Sequence, residues 1–231
     1  LGPIGWDQIG GDIDGEAINN FSGDSISISA DGTIVAIGGS QNSGNGTQAG
    51  HVRVYKYNPS KSTAQTNQSL AGFGPIGWDR LGDDIDGEAI DDYSGFNVSL
   101  SADGTIVSIG AWANNGNGVD AGHVRVYRYT PSKTVAVTNQ SDPSFGPIGW
   151  IRLGGDLDGE AVGDRCCTNA LSADGTIIAI GAGFNNNYTG NVRVYRYNSS
   201  KTTANSLGPI GWDQIGGDID GEAINNFSGD S

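Results

Sequence analysis

The sequence predicts an all-β protein assembled from tandem four-stranded antiparallel units, three of them followed by part of a fourth. Three observations carry that expectation. The pentapeptide GPIGW recurs at residues 2–6, 74–78, 146–150 and 208–212, with spacings of 72, 72 and 62 residues. Each copy leads into the same succession of acidic, alternating and apolar segments. Glycine supplies 39 of the 231 residues, and no segment of useful length shows a capped helical period.

The elements follow in order along the first unit. Trp6 opens the segment WDQIGGDIDGEA. Residues 25–29 (SISIS) alternate, so Ile26 and Ile28 share one face of a strand. Ala30-Asp31-Gly32 supplies a turn, with glycine free to take a positive φ. Residues 33–37 (TIVAI) form an uninterrupted apolar run, as expected of a strand buried on both faces. A Gly/Asn-rich loop follows at 38–50. Residues 51–57 (HVRVYKY) then put Val52 and Val54 on one face and Arg53, Tyr55 and Tyr57 on the other. A polar linker containing Pro59 runs to the next GPIGW, where residues 78–81 begin a fourth short strand. The units are accordingly 1–73, 74–145 and 146–206, with a partial unit at 207–231.

Four short antiparallel strands with two apolar faces define a β-propeller blade, since each blade packs on its neighbours. The units exceed the usual repeat of about 40–50 residues, and the excess sits in the linker and the Gly/Asn loop. A β-solenoid would show a shorter, more regular rung. Three blades are too few to close a ring, so propeller-type units left open within one chain are expected.

The stretch SGFNVSLSADGTIVSIGA resembles the FG-GAP repeat, the blade motif of integrin α-subunit propellers and of many secreted microbial proteins. Ser94-Gly95 stands where that family has Phe-Gly, and Ile109-Gly110-Ala111 stands at its Gly-Ala-Pro end. The resemblance extends over all three units and implies an extracellular or cell-surface protein. Integrin-type blades often carry an Asp-rich calcium loop between their first two strands. Here that place holds only Ala102-Asp103-Gly104-Thr105, so the family's calcium site does not carry over.

Residues 1–25 and 207–231 are identical at all 25 positions, whereas the internal copies have drifted. This fits a window on a longer array, or a subunit whose end overlaps its neighbour's beginning. Either gives translational self-association, and a heterologous contact that does not close makes a filament. A piece of a closed six- or seven-bladed propeller is the competing reading.

The formal charge of −14 repels phosphate backbones and argues against nucleic-acid binding. No stretch approaches the roughly 18 consecutive apolar residues of a membrane span. The most repeated acidic motif comprises Asp12, Asp14 and Glu16; Asp84, Asp86 and Glu88; Asp156, Asp158 and Glu160; and Asp218, Asp220 and Glu222. Oxygen ligands at alternate positions beside a glycine suit calcium, although an EF-hand loop needs more of them. The structural alternative is an Asp/Gly turn closing the outer strand. No cofactor is required, and calcium is the one candidate ion.

His51 and His123 occupy matching places, with Asn191 in the third unit, and are expected to be strand-surface residues. The recurrent Trp6, Trp78, Trp150 and Trp212 are expected to pack between blades, sugar stacking being the alternative. No nucleophile–base pair or His/Cys ligand cluster stands out, so the expectation is a protein that is not an enzyme. Cys166 and Cys167 are adjacent and lack counterparts in the other units. They would form a vicinal disulfide, stay reduced or link to another chain. Asn-X-Ser/Thr sequons occur at Asn20, Asn45, Asn67, Asn97, Asn139, Asn187, Asn198 and Asn226, and Ser/Thr-rich linkers also suit O-linked sugars.

The first functional expectation is an extracellular structural protein that self-associates end to end, as a subunit of a glycosylated fibre or surface layer. Its partners are then copies of itself. The second is an adhesin or lectin-like module that contacts a glycan or another surface protein through the loops at 41–50, 113–122 and 183–190.

Overall fold

A computed structural model describes residues 4–230. Residues 1–3 and 231, which belong to the two identical end segments, lie outside the described residues.

The chain folds into three antiparallel five-stranded sheets with no closed barrel among them. The first contains β1 (Ser22–Ile28), β2 (Ile34–Gly39), β3 (His51–Tyr57), β4 (Trp78–Arg80) and β5 (Ile85–Asp86). The second contains β6 (Ser94–Leu100), β7 (Ile106–Ala111), β8 (His123–Tyr129), β9 (Trp150–Arg152) and β10 (Leu157–Asp158). The third contains β11 (Thr168–Leu171), β12 (Ile177–Ala182), β13 (Asn191–Tyr197), β14 (Trp212–Gln214) and β15 (Ile219–Asp220). Each is a meander of three strands whose fourth rank is split in two. Thus β4 and β5 both pair with β3, in the registers Tyr57↔Trp78 and Val52↔Ile85.

Sheets and sequence repeats are out of phase. The outer rank of each sheet comes from the GPIGW segment that opens the next sequence repeat. The terminal copy at 207–231 therefore completes the third sheet with β14 and β15. The equivalent residues 6–16 at the other end form no strand.

Local chemistry explains the meander. Between β1 and β2, Asp31 accepts bonds from the Thr33 amide (2.9 Å) and from the Thr33 (2.8 Å) and Ser29 (2.7 Å) hydroxyls. Asp103 and Asp174 repeat this turn. The turns also join neighbouring sheets, through Ala30 N–H to Ala102 O and Ala102 N–H to Ala173 O, both 2.8 Å.

The core lies between sheets. Ala36, Val52, Val54 and Ile85 of the first sheet pack against Val98, Leu100, Val107, Ile109, Tyr127 and Trp150 of the second. Val124, Val126 and Leu157 meet Ile178, Ile180, Tyr195 and Trp212 of the third in the same way. The face of β3 assigned to Arg53 and Tyr55 is buried as well as the valine face, so β3 is closed on both sides. Residues 185–188 form one irregular turn, with left-handed backbone at Asn186 and Asn187. No helix among the described residues is long and apolar enough to cross a membrane.

Candidate functional site: a repeated tryptophan seat and arginine clamp

Two devices recur between the sheets. The first is a seat for tryptophan. The Trp150 indole donates to Leu81 O and the Trp212 indole to Leu153 O, both at 2.9 Å. Each ring lies over a glycine with left-handed backbone. A Cβ at Gly82 would stand 2.7 Å from Trp150 Nε1, and one at Gly154 would stand 2.6 Å from Trp212 Nε1. Gly10 holds Trp78 in the same manner. Only glycine fits this position, because any side chain would displace the ring. Tyr57, Tyr129 and Tyr197 flank the three rings at 5.2–5.4 Å between centroids. Trp6 departs from the packing expectation: it is 77% exposed, whereas Trp150 and Trp212 are wholly buried. No β3-like strand precedes it among the described residues.

The second device is an arginine clamp, and here the acidic motifs find their use. Arg125 binds Asp156 in bidentate fashion, Nε to Oδ1 at 2.8 Å and Nη2 to Oδ2 at 2.7 Å. The same Nη2 reaches Glu88 at 2.5 Å. Arg152 adds a bond to Asp156 at 2.8 Å. Phe145 lies under both guanidinium groups, at 5.5 and 4.8 Å. Arg53, Asp84, Glu16, Arg80 and Phe73 repeat the arrangement one sheet earlier. Gln68 and Gln140 donate to Glu16 and Glu88.

The carboxylates of one motif are thereby parted. Asp84 serves Arg53 of the first sheet, while Glu88 reaches Arg125 of the second, so the clamp ties adjacent sheets together. The groups that do converge come from different motifs: Glu16 with His51 and Asp84, and Glu88 with His123 and Asp156. Each set already holds a guanidinium on its aspartate, which supplies the positive charge a cation would bring.

Asp14 and Asp86 are exposed and Asp158 is half-buried. Among the described residues, Asp12 and Asp218 each accept only a glutamine bond, at 2.7 Å. Asp220 and Glu222 are exposed. In the third sheet the clamp is loose. Glu160 stands 3.7 Å from Arg193, Gln214 replaces the second arginine, and Leu207 replaces the phenylalanine.

Electrostatics follow from burial. Burial alone would raise the Asp156 carboxyl, but Arg125 outweighs it and holds the group below the usual range. Asp84 behaves alike with Arg53. Asp158 forms no ion pair among the described residues, and burial together with Asp156 outweighs the more distant arginines and pushes it up to about 6. Asp86 meets the same influences, led by burial and Asp84. Its side chain is exposed, however, so water screens these charges.

His51 and His123 are buried rather than on the surface, because their strand is closed on both faces. Burial, then Arg125, pushes His123 down to about 3. Its Nδ1 has no hydrogen-bond partner among the described residues and lies 3.9 Å from Glu88.

A pH dependence follows. Unfolded His123 takes up its proton near the ordinary 6.5 while the folded group stays neutral down to about 3. Its contribution to stability is present above 6.5 and is lost as pH falls towards 3. Asp158 acts in the opposite sense: its contribution is greatest in acid and is lost as pH rises through about 6. His123→Asn, the residue found at 191, is expected to flatten the acid limb between those values. Urea unfolding at stepped pH measures it, and an unchanged acid limb would refute the assignment.

The remaining candidates disperse. Cys166 and Cys167 are both free thiols and both buried. Cys166 packs into the core between the second and third sheets, whereas Cys167 lines a surface recess. They are therefore not bridged, and burial raises both thiols to about 12.

Among the sequons, Asn45, Asn67, Asn139, Asn187 and Asn226 are exposed. Asn20 is buried. Asn97 accepts from the Asn169 amide at 3.0 Å, and Asn198 donates to Asp213 at 2.7 Å, so both side chains are engaged. The Gly/Asn loops are also tied down, since Asn45 and Asn117 donate to Gly87 O and Gly159 O at 2.8 and 2.7 Å.

The clamp arginines were absent from the sequence-derived candidates. One signal marks them: where Arg80 and Arg152 give way to Gln214, Phe73 and Phe145 give way to Leu207. No protein-family model and no curated protein matches the chain.

Proposed function

We propose that the protein is a non-catalytic extracellular scaffold, made of FG-GAP-like, propeller-type blades that associate end to end. The observation that supports this most is where the repeated chemistry sits. The recurrent tryptophans, glycines, arginines and carboxylates join one sheet to the next. Exposed Asn67, Asn139, Asn187 and Asn226 leave room for sugars on the outside of such an assembly. Electron microscopy of the protein alone is expected to show particles joined end to end. A uniform field of single three-sheet particles at every concentration would refute the proposal.

A second reading has one specific observation behind it. A recess of about 590 Å³ is lined by Phe21, Tyr93, Phe96, Trp112 and Phe184, with Asp24 at its edge. Arg165 lies 4.9 Å from the Trp112 ring and 4.6 Å from Phe184. The same motif position is left-handed in each unit, at Phe21, Tyr93 and Arg165 (φ 52–55°), the kind of strain that gathers at binding sites. Aromatic plates beside a carboxylate suit a pyranose ring. Under this reading the module binds a glycan, and Phe96→Ala weakens retention on immobilised sugars while leaving assembly intact.

A further inference from the structure

We infer that the aromatic recess takes a carboxylate-bearing pyranose, with Arg165 receiving the carboxylate. This rests on the glycan reading above and names the ligand class of that site.

The first observation is where the units differ. The tryptophan seat recurs from unit to unit, as a part of the architecture should. The recess is built from residues that do not recur. Trp112 directly follows β7, where the other two units have Ser40 and Gly183 after β2 and β12. Phe184 stands at the next position, where they have Gln41 and Ala113. Arg165 takes the left-handed place held by Phe21 and Tyr93. Phe96 lies in the bulge of β6, where the first unit has Asp24 in β1. Four departures from the repeat thus meet in one recess, and all four lie on the second and third sheets or their connections.

The second observation is how Arg165 is held. Its amide donates to Asp120 O at 3.0 Å, which pins the left-handed backbone. Its guanidinium lies over the Trp112 and Phe184 rings. Trp112 is fixed in turn by Tyr93, stacked at 4.9 Å between centroids, and by Phe96, edge-on at 6.4 Å. Stacking uses the faces of a guanidinium and leaves its N–H donors, which lie in its plane, for other partners.

The third observation is that those partners are missing. Arg53, Arg80, Arg125, Arg152 and Arg193 each have a carboxylate within 4 Å. Arg128 and Arg196 have none and are exposed to water. Arg165 is half-buried, and among the described residues its side chain has neither a carboxylate partner nor a hydrogen-bond acceptor. In a chain of net charge −14, an arginine kept from every carboxylate is notable. A ligand carboxylate fits it, because the planar guanidinium fork matches a planar carboxylate.

The rest of the recess selects a sugar to carry that carboxylate. Its volume of about 590 Å³ suits a small ligand. Tyr93, Phe96 and Trp112 offer plates to the C–H faces of a pyranose ring. Asp24 and Gln41 line the same recess and can bond to ring hydroxyls. An acidic peptide side chain has no ring for the plates, and a neutral sugar leaves Arg165 unpaired.

Binding of the full chain to immobilised probes tests this. The probes are an oligogalacturonate and sialyllactose, each beside its carboxyl-reduced form, with a sulfated galactan, a neutral cello-oligosaccharide and oligoglutamate. At least one carboxylated sugar is expected to be retained. Its carboxyl-reduced form is expected to bind more weakly by on the order of tenfold or more, the equivalent of one charge-assisted hydrogen bond. Arg165→Gln is expected to weaken the carboxylated sugar to the same extent, with the unfolding midpoint of wild type as the check on folding. The reduced sugars are read on wild-type protein, so they decide the matter even if the variant fails to fold.

Equal binding of carboxylated and reduced sugars overturns the role of Arg165 and leaves the glycan reading standing. Binding of the sulfated galactan or oligoglutamate as strong as that of the carboxylated sugars overturns the ligand class. Retention of no sugar at all overturns both the inference and the glycan reading on which it rests.

Discussion

Trp150→Ala is expected to lower the unfolding free energy by about 3–5 kcal/mol, the cost of emptying a large aromatic site in a packed core. Three losses combine. The ring is wholly buried between the first and second sheets. Its indole N–H no longer satisfies Leu81 O. Its packing against Tyr129, at 5.3 Å between centroids, disappears. The same substitution at Trp6 is expected to change stability by less than about 0.5 kcal/mol, as at other exposed sites away from special features. The pair is informative because both residues end the same GPIGW motif. Urea unfolding followed by circular dichroism measures the two, and equal midpoints would show that the seat contributes nothing.

Arg125→Leu is expected to cost about 3–5 kcal/mol, the usual result of removing one partner from a buried charge network. Glu88 and Asp156 would be left beside each other with their bidentate partner gone. Arg152 retains its bond to Asp156 and offsets part of the loss. Arg193→Leu is expected to cost less. Glu160 stands farther from that guanidinium, is more exposed, and has no second arginine beside it. Because Glu88 directly follows β5 of the first sheet and Arg125 lies on β8 of the second, the variant should also raise amide exchange on both sides of that boundary. Protection lost in the second sheet alone would show that the clamp does not join sheets.

The sequence by itself determined the repeat, the all-β class and the strands within each unit. Local signals suffice for these. Alternation in SISIS, β-branched residues in TIVAI and the Asp-Gly turn between them each act over a few residues, and β1, β2 and β3 appear where those signals lie. The face assignment of Val52 and Val54 is local too, since side chains alternate along a strand.

Tertiary structure alone decided which unit supplies the fourth strand, what the acidic motifs bind, and which tryptophan is buried. The outer ranks are three and two residues long, too short for a periodic signal, and they join the sheet of the preceding unit. Arg125 and Asp156 lie 31 positions apart, and neither residue's neighbours encode the other. Asp84, Glu88 and Asp156 of the acidic motifs meet guanidinium groups, because folding brings Arg53 and Arg125 to them. His123 reads as a strand-surface residue because the third unit has Asn191 in its place, and it is buried because its sheet is covered on both sides. Trp6 and Trp212 show the limit most clearly. Their surroundings in sequence are identical, and only the presence of a sheet beneath one of them makes it core.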